Sequence, residues 1–173
     1  MQPPRAQLPE LRPRTAANWF VERLGCTEAE GEKAAGKLLP RVRDWLDSDW
    51  QRADETRSSL QQLFDLNEAE VRKVVLTQPS VLGYSIEENV RPTVAALRSL
   101  LGLSEAEVRK LVLRLPSVLG QSVEENLRPT VAALRSLVGL SEAEVRKLVL
   151  RLPQVLGLSI EENLRPKVAA LRS

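Results

Sequence analysis

The sequence predicts an all-α superhelical solenoid of helix–turn–helix units, each 37 residues long, and three observations carry that prediction. The segment Ser-Glu-Ala-Glu-Val-Arg-Lys-Leu-Val-Leu-Arg-Leu-Pro that begins at Ser104 recurs unchanged at Ser141 and, with a few substitutions, at Asn67. Each copy holds two stretches whose apolar residues fall at helical spacing. A proline and a glycine punctuate those stretches at the same places every time. A fixed period of this length marks a stack in which no unit buries a core alone and function lies on a repeated surface. No β pattern competes.

Residues 1–23 read as a flexible leader, since the first 17 carry Arg5, Arg12, Arg14, four prolines and one acid, Glu10. An organelle transit segment and a plain disordered tail both fit that composition. Residues 24–66 form a degenerate capping repeat. Leu24-Gly25-Cys26-Thr27-Glu28-Ala29-Glu30 echoes Leu101-Gly102-Leu103-Ser104-Glu105-Ala106-Glu107, and Trp19, Phe20, Trp45, Trp50 and Phe64 suit a terminal cap that needs large side chains to close its core. Three clear units follow at 67–103, 104–140 and a truncated 141–173. The last two differ only at Ser117/Gln154, Gln121/Leu158, Val123/Ile160 and Thr130/Lys167.

Within a unit, Ser104 and Glu107 form a capping box, and Val108, Leu111, Val112 and Leu115 fall at i, i+3, i+4 and i+7. This first helix should end near Pro116, which lacks a backbone N–H and disfavours helical geometry at Leu115. Pro116-Ser117-Val118-Leu119-Gly120 then reads as one tight connecting turn. Ser122 and Glu125 start a second capping box, followed by a stripe of Leu127, Val131, Leu134 and Val138. Pro129 either sits within the first turn of this second helix or marks its true start. Gly139 fits the helix end. The third unit stops inside its second helix, at Arg172-Ser173, so the sequence reads as the N-terminal part of a longer array.

Composition narrows the function. No uninterrupted apolar run approaches the roughly 20 residues that span a bilayer, so a water-soluble array with no membrane partner is expected. The formal charge of +2 conceals a gradient: basic and acidic groups balance at 4 and 4 in 67–103, then stand at 5 and 4, then 6 and 4. There is no His and one Cys, Cys26, which occupies the place of Leu103 and Leu140 and reads as a small core residue. Metal centres, His-dependent acid–base chemistry and internal disulfides therefore lose their usual residues. The neighbouring Glu124 and Glu125 point about 100° apart on a helix and cannot converge on one substrate atom. No nucleotide loop or nucleophile–base set is present, and neither catalysis nor a cofactor is expected.

The motifs Leu-Gly-Leu-Ser-x-x-Glu-Val, Leu-Pro-x-Val-Leu-Gly-x-Ser and Glu-Glu-Asn-Leu-Arg-Pro-x-Val-x-x-Leu resemble the repeats of the mitochondrial transcription termination factor family. The prolines at 79, 116 and 153, each followed by x-Val-Leu, and the Asn-x-Arg-Pro elements at 89, 126 and 163 are the specific parts. The resemblance covers 24–173, weakly before Asn67. It implies two helices and a short 3₁₀ turn per repeat, in a left-handed superhelix whose basic groove holds double-stranded nucleic acid. It also implies a mitochondrial or chloroplast location and a role in transcription termination, transcription regulation or organellar RNA metabolism.

A groove binder needs cations at one helical position in successive units, so that the row follows the phosphate backbone. Arg72, Arg109 and Arg146 stand four residues after Glu68, Glu105 and Glu142, which predicts salt-bridged, solvated pairs within each helix. Lys73, Lys110 and Lys147 are discounted likewise against Glu70, Glu107 and Glu144. Arg91, Arg128 and Arg165 pair with Glu87, Glu124 and Glu161. Arg114 and Arg151 have no acid at i−3 or i−4, and neither do Arg98, Arg135 and Arg172. These five, with Lys167 in place of Thr93 and Thr130, are the candidate phosphate contacts. Tyr84 is the one aromatic residue of the clear units, and it reads as an exposed connector residue more readily than as a base stack. Two functions stand: a monomeric protein that binds duplex DNA, with RNA as a possible ligand, and regulates organellar transcription; or a helical-repeat scaffold that binds protein.

Overall fold

The computed structural model describes residues 12–172, with side chains through residue 170. The described residues form helices joined by short connections, with no strand, and build the predicted solenoid. The capping region holds four helices: α1 (Ala16–Leu24), α2 (Glu28–Gly36), α3 (Pro40–Leu46) and α4 (Gln51–Leu63). The clear units contribute α5 (Glu68–Thr77) and α6 (Arg91–Leu101), α7 (Glu105–Arg114) and α8 (Arg128–Ser136), then α9 (Glu142–Arg151) and α10 (Arg165–Arg172).

Helix α1 corrects the predicted leader, which was drawn through residue 23. Ala16, Trp19, Phe20 and Leu24 fall on one helical stripe and are all buried, so this stretch is part of the cap. Thr15 caps the helix by accepting from the Asn18 amide at 3.2 Å, and Asp47 accepts from the Ala16 amide at 2.6 Å. Trp19 and Phe20 meet edge to face with centroids 5.2 Å apart. The prolines before the stripe set the composition of the segment and hide the short periodic run behind them. Arg5 and Glu10 lie outside the described residues.

In the cap, α2 corresponds to the first helix of a unit and α4 to the second, while α3 stands where later units have a five-residue turn. Those turns, Pro79–Gly83, Pro116–Gly120 and Pro153–Gly157, are single 3₁₀ turns as predicted. Their Val-Leu pairs drive into the core: Val81, Leu82, Val118 and Leu119 have no exposed surface. Fully burying such a side chain is worth about 1.5–3 kcal/mol, and each turn buries two.

All four first helices carry complete capping boxes, from Thr27/Glu30, Asn67/Glu70, Ser104/Glu107 and Ser141/Glu144. The second helices do not. Ser122 accepts from the Glu125 amide at 3.1 Å, but the glutamate does not return the bond, and at the equivalent Ser85 the amide donates to Asn89 Oδ1 instead. The cause is a wide π turn at the start of each second helix, Ile86–Val90, Val123–Leu127 and Ile160–Leu164. The Ser85 carbonyl accepts from both Asn89 and Val90, and Arg91 reaches back five residues to Ile86. Pro92 has no N–H and its ring would strike the Glu88 carbonyl in a regular α-helix, so the helix opens by one residue just before it. Pro129 is thus the second residue of α8, within its first turn as one of the two expectations had it, and Leu127 belongs to the π turn before it. Leu127 is 1% exposed within the π turn.

At the unit boundaries, Gly102 and Gly139 take left-handed φ values of 64° and 78°, where a side chain is strained. In the cap the equivalent residue is Asp65, with φ 50°, a type that tolerates this region better than most. Gly120 serves a different purpose. A Cβ there would collide with the Tyr84 hydroxyl, because Tyr84 of one unit lies against the connector of the next. Val42 covers Gly83 and Gln121 approaches Gly157 in the same way.

Candidate nucleic-acid interface

The arginine row 72, 109 and 146 does not make the predicted pairs within its own helices. Each guanidinium crosses instead to the capping glutamate of the preceding unit: Arg72 to Glu30 at 3.3 Å, Arg109 to Glu70 at 2.7 Å and Arg146 to Glu107 at 2.6 Å. Arg72 also donates to the Leu24 carbonyl and touches Cys26 Sγ at 3.9 Å, and Arg109 donates to the Asp65 carbonyl. Stacking puts the next unit's arginine within reach of a carboxylate already fixed by its cap, a contact that intrahelical spacing cannot reveal. The Arg146 bond, followed by the Ser104 amide, holds the Glu107 carboxyl at about 2, well below the ordinary 4.5. Glu30 is lowered too, first by the Thr27 amide. Burial pushes the Cys26 thiol up, against the pull of Arg72, and its side chain is packed in the core.

The glutamates passed over by that row are taken elsewhere. Arg57 and Gln61 bind Glu68, Arg98 binds Glu105 at 3.5 Å, and Arg135 binds Glu142 at 3.1 Å. Arg98 and Arg135, which have no acid nearby on their own helices, thus find one across the helix junction. Both remain about half exposed, and such pairs are worth only about 0–1 kcal/mol, so a phosphate can displace the carboxylate. Arg91, Arg128 and Arg165 make the predicted i, i+4 bonds at 2.8–2.9 Å.

Arg114 has a structural role that its sequence neighbours do not disclose. Its guanidinium donates to the carbonyls of Leu150 and Arg151, the latter at 3.0 Å, and so caps the C-terminus of α9 in the next unit. A cation is favourable at that negative helix end, which outweighs the mild repulsion from Lys110 one turn away. Lys110 and Arg114 line one cleft of about 430 Å³ together with Leu113 and Leu150. Arg151 and Lys167 are exposed and have no side-chain partner among the described residues. Arg172 ends α10, and its side chain lies outside the described ones.

Arg114 and Arg151 therefore lie at the C-terminal ends of the first helices α7 and α9, whereas Arg98 and Arg135, on α6 and α8, reach the N-terminal ends of those helices through Glu105 and Glu142. Over the ten residues of α9 the two rows stand on the order of 13 Å apart along the axis. A further row emerges that spacing alone discounts. Because Arg109 occupies Glu70 and Arg146 occupies Glu107, Lys73 and Lys110 are left exposed without a carboxylate among the described residues. Lys147 keeps Glu144 nearby. The signal for these lysines is the 37-residue period itself, which places an arginine of the next unit opposite Glu30, Glu70 and Glu107. Tyr84 is half-buried over Gly120, with its hydroxyl 3.4 Å from Gln78 Nε2.

Among the described residues no cluster of His, Cys, Asp or Glu could hold a metal ion, and no helix is long and apolar enough to cross a membrane. Helical units joined by arginine–glutamate bonds, with first-helix cations that make no ion pair among the described residues, define a helical-repeat protein. A sequence profile of the mTERF family matches residues 19–136 and again 55–173, the second match ending one repeat after the first, and the chain belongs to that family. The family comprises nucleic-acid-binding repeat proteins of organellar transcription, generally non-enzymatic. No curated protein was found to match the chain.

Proposed function

We propose that the chain grips double-stranded DNA in a mitochondrion or chloroplast and regulates transcription there, termination included, as a bound obstacle or recruiter. The observation that carries this is the release of Lys73 and Lys110 by the inter-unit bonds of Arg109 and Arg146. It leaves cations at one position in successive units, the arrangement a phosphate backbone requires. Arg114 and Arg151 extend that row. Arg98, Arg135, Arg172 and Lys167 form the second set of phosphate contacts.

Titrating a monomeric preparation against duplex DNA and against duplex RNA of one sequence, between about 50 and 200 mM salt, tests this. Neutralising six phosphates would lower affinity on the order of 10³-fold over that range, and DNA should bind more tightly than RNA. A flat salt dependence would sink the phosphate reading, and tighter RNA binding would move the function to organellar RNA metabolism. Targeting of a fluorescent fusion to either organelle checks the location.

A further inference from the structure

The connector side of the array carries two clefts that repeat with the units. The first, about 810 Å³, has Glu88, Asn89 and Thr93 on one wall and Gly120, Gln121 and Val123 on the other. The second, about 360 Å³, repeats that frame with Glu125, Asn126 and Thr130 facing Gly157, Leu158 and Ile160. Of the four positions at which the units 104–140 and 141–173 differ, 121/158 and 123/160 line these clefts, and Thr130 of the 130/167 pair lines the second. Variation between two near-copies is thus concentrated on one repeated surface.

That surface differs in charge from the first-helix edge. Glu87 and Glu124 are neutralised by Arg91 and Arg128, but Glu88 and Glu125 make no ion pair among the described residues and stand exposed at the cleft walls, one per unit. Their carboxylates repel phosphate and attract cations. Gln121 borders both clefts with a half-buried side chain whose carboxamide oxygen is turned away from solvent. Small residues at the walls, Ala95, Ala96, Gly120 and Gly157, leave room for a polypeptide backbone.

We propose that these clefts dock an extended segment of a partner protein bearing Lys or Arg at every third residue. The spacing follows from the stack. Packed helices stand about 8–10 Å apart, and a segment in the polyproline II conformation advances about 3.1 Å per residue with three residues per turn, so side chains three residues apart share one face and meet equivalent clefts. The cations pair with Glu88 and Glu125, and the intervening segment passes over Gln121 in the first cleft and Leu158 in the second. This site is distinct from the lysine–arginine row of the DNA-binding reading: Lys73, Lys110, Arg114 and Arg151 stand on first helices, whereas the clefts lie between connectors and second helices.

The probe is a labelled synthetic peptide with lysines at every third position among serines, compared by fluorescence anisotropy with a peptide of the same composition whose lysines are contiguous. The in-register peptide should bind more tightly. Glu88→Gln and Glu125→Gln should each weaken it about fivefold, the effect of about 1 kcal/mol for an exposed pair. Neither substitution should reduce duplex DNA affinity. Circular dichroism confirms that these surface variants stay folded. Equal binding of the two peptides, no binding of either, indifference to the glutamate substitutions, or displacement of the peptide by duplex DNA would each overturn the proposal. The DNA arm is read separately, so failure of DNA binding does not count against the peptide site.

Discussion

Arg114 and Arg151 occupy identical local sequences, Glu-Ala-Glu-Val-Arg-Lys-Leu-Val-Leu-Arg-Leu-Pro, and differ only in what lies beside them. Replacing each in turn by Gln therefore separates a structural bond from a ligand contact. Arg114→Gln removes the donors to the Leu150 and Arg151 carbonyls. Hydrogen bonds from charged groups are worth about 1.5–3 kcal/mol, and solvent exposure of this one reduces the expected cost to about 1 kcal/mol. For a chain of this size that lowers Tm by about 2–4 °C. Arg151→Gln breaks no bond among the described residues and should leave Tm unchanged. In DNA binding the two should behave alike, each reducing the slope of log affinity against log salt by about 1. Differential scanning fluorimetry and salt titrations read the two effects independently. Equal Tm losses, or none for Arg114→Gln, would refute the capping role, and an unchanged slope for Arg151→Gln would remove that row from the interface.

Three further outcomes follow from the geometry. Gly102→Ala forces a side chain into φ 64° and should destabilise by about 1–2 kcal/mol, whereas Gly36→Ala, in α2 with open space around it, should stabilise by up to about 1 kcal/mol; urea unfolding measures both. Leu127→Ala should cost about 2–5 kcal/mol and the equivalent Leu164→Ala less, because Leu127 is 1% exposed while Leu164 is only half-buried. Glu107 is depressed in the folded chain, so its contribution to stability is full above the ordinary 4.5 and is lost as pH falls from there towards about 2. Glu107→Gln should accordingly flatten the acid limb of a stability–pH profile in that window.

The repeat, the connecting turns and the first-helix caps were legible because each is written in local chemistry: a serine three residues before a glutamate, a proline before Val-Leu, a glycine after a helix. What was not legible depends on register between units. Arg109 stands four residues from Glu105, and nothing local shows that its guanidinium goes to Glu70 instead. Arg114 gains its partners from backbone carbonyls of the next unit, which have no side-chain signature at all. The π turn was missed for another reason: Pro92 and Pro129 mark the site of the irregularity, but either an ordinary first turn or a displaced start satisfies the same sequence. The released lysines, Lys73 and Lys110, follow only once the inter-unit bonds are known.

Glu70 and Glu107 each have two tasks, closing the first turn of their own helix and receiving the arginine of the unit that follows. In a linear array, stability divides into a term for each unit and a term for each junction, and the two are usually separable. Here one carboxylate belongs to both. Fraying a helix start loosens the next junction, and opening a junction loosens the helix start behind it, so local and nearest-neighbour terms are coupled by covalent identity. An array wired in this way resists partial unravelling from within and concentrates its looseness at its ends, which keeps neighbouring cations in fixed register along the span between.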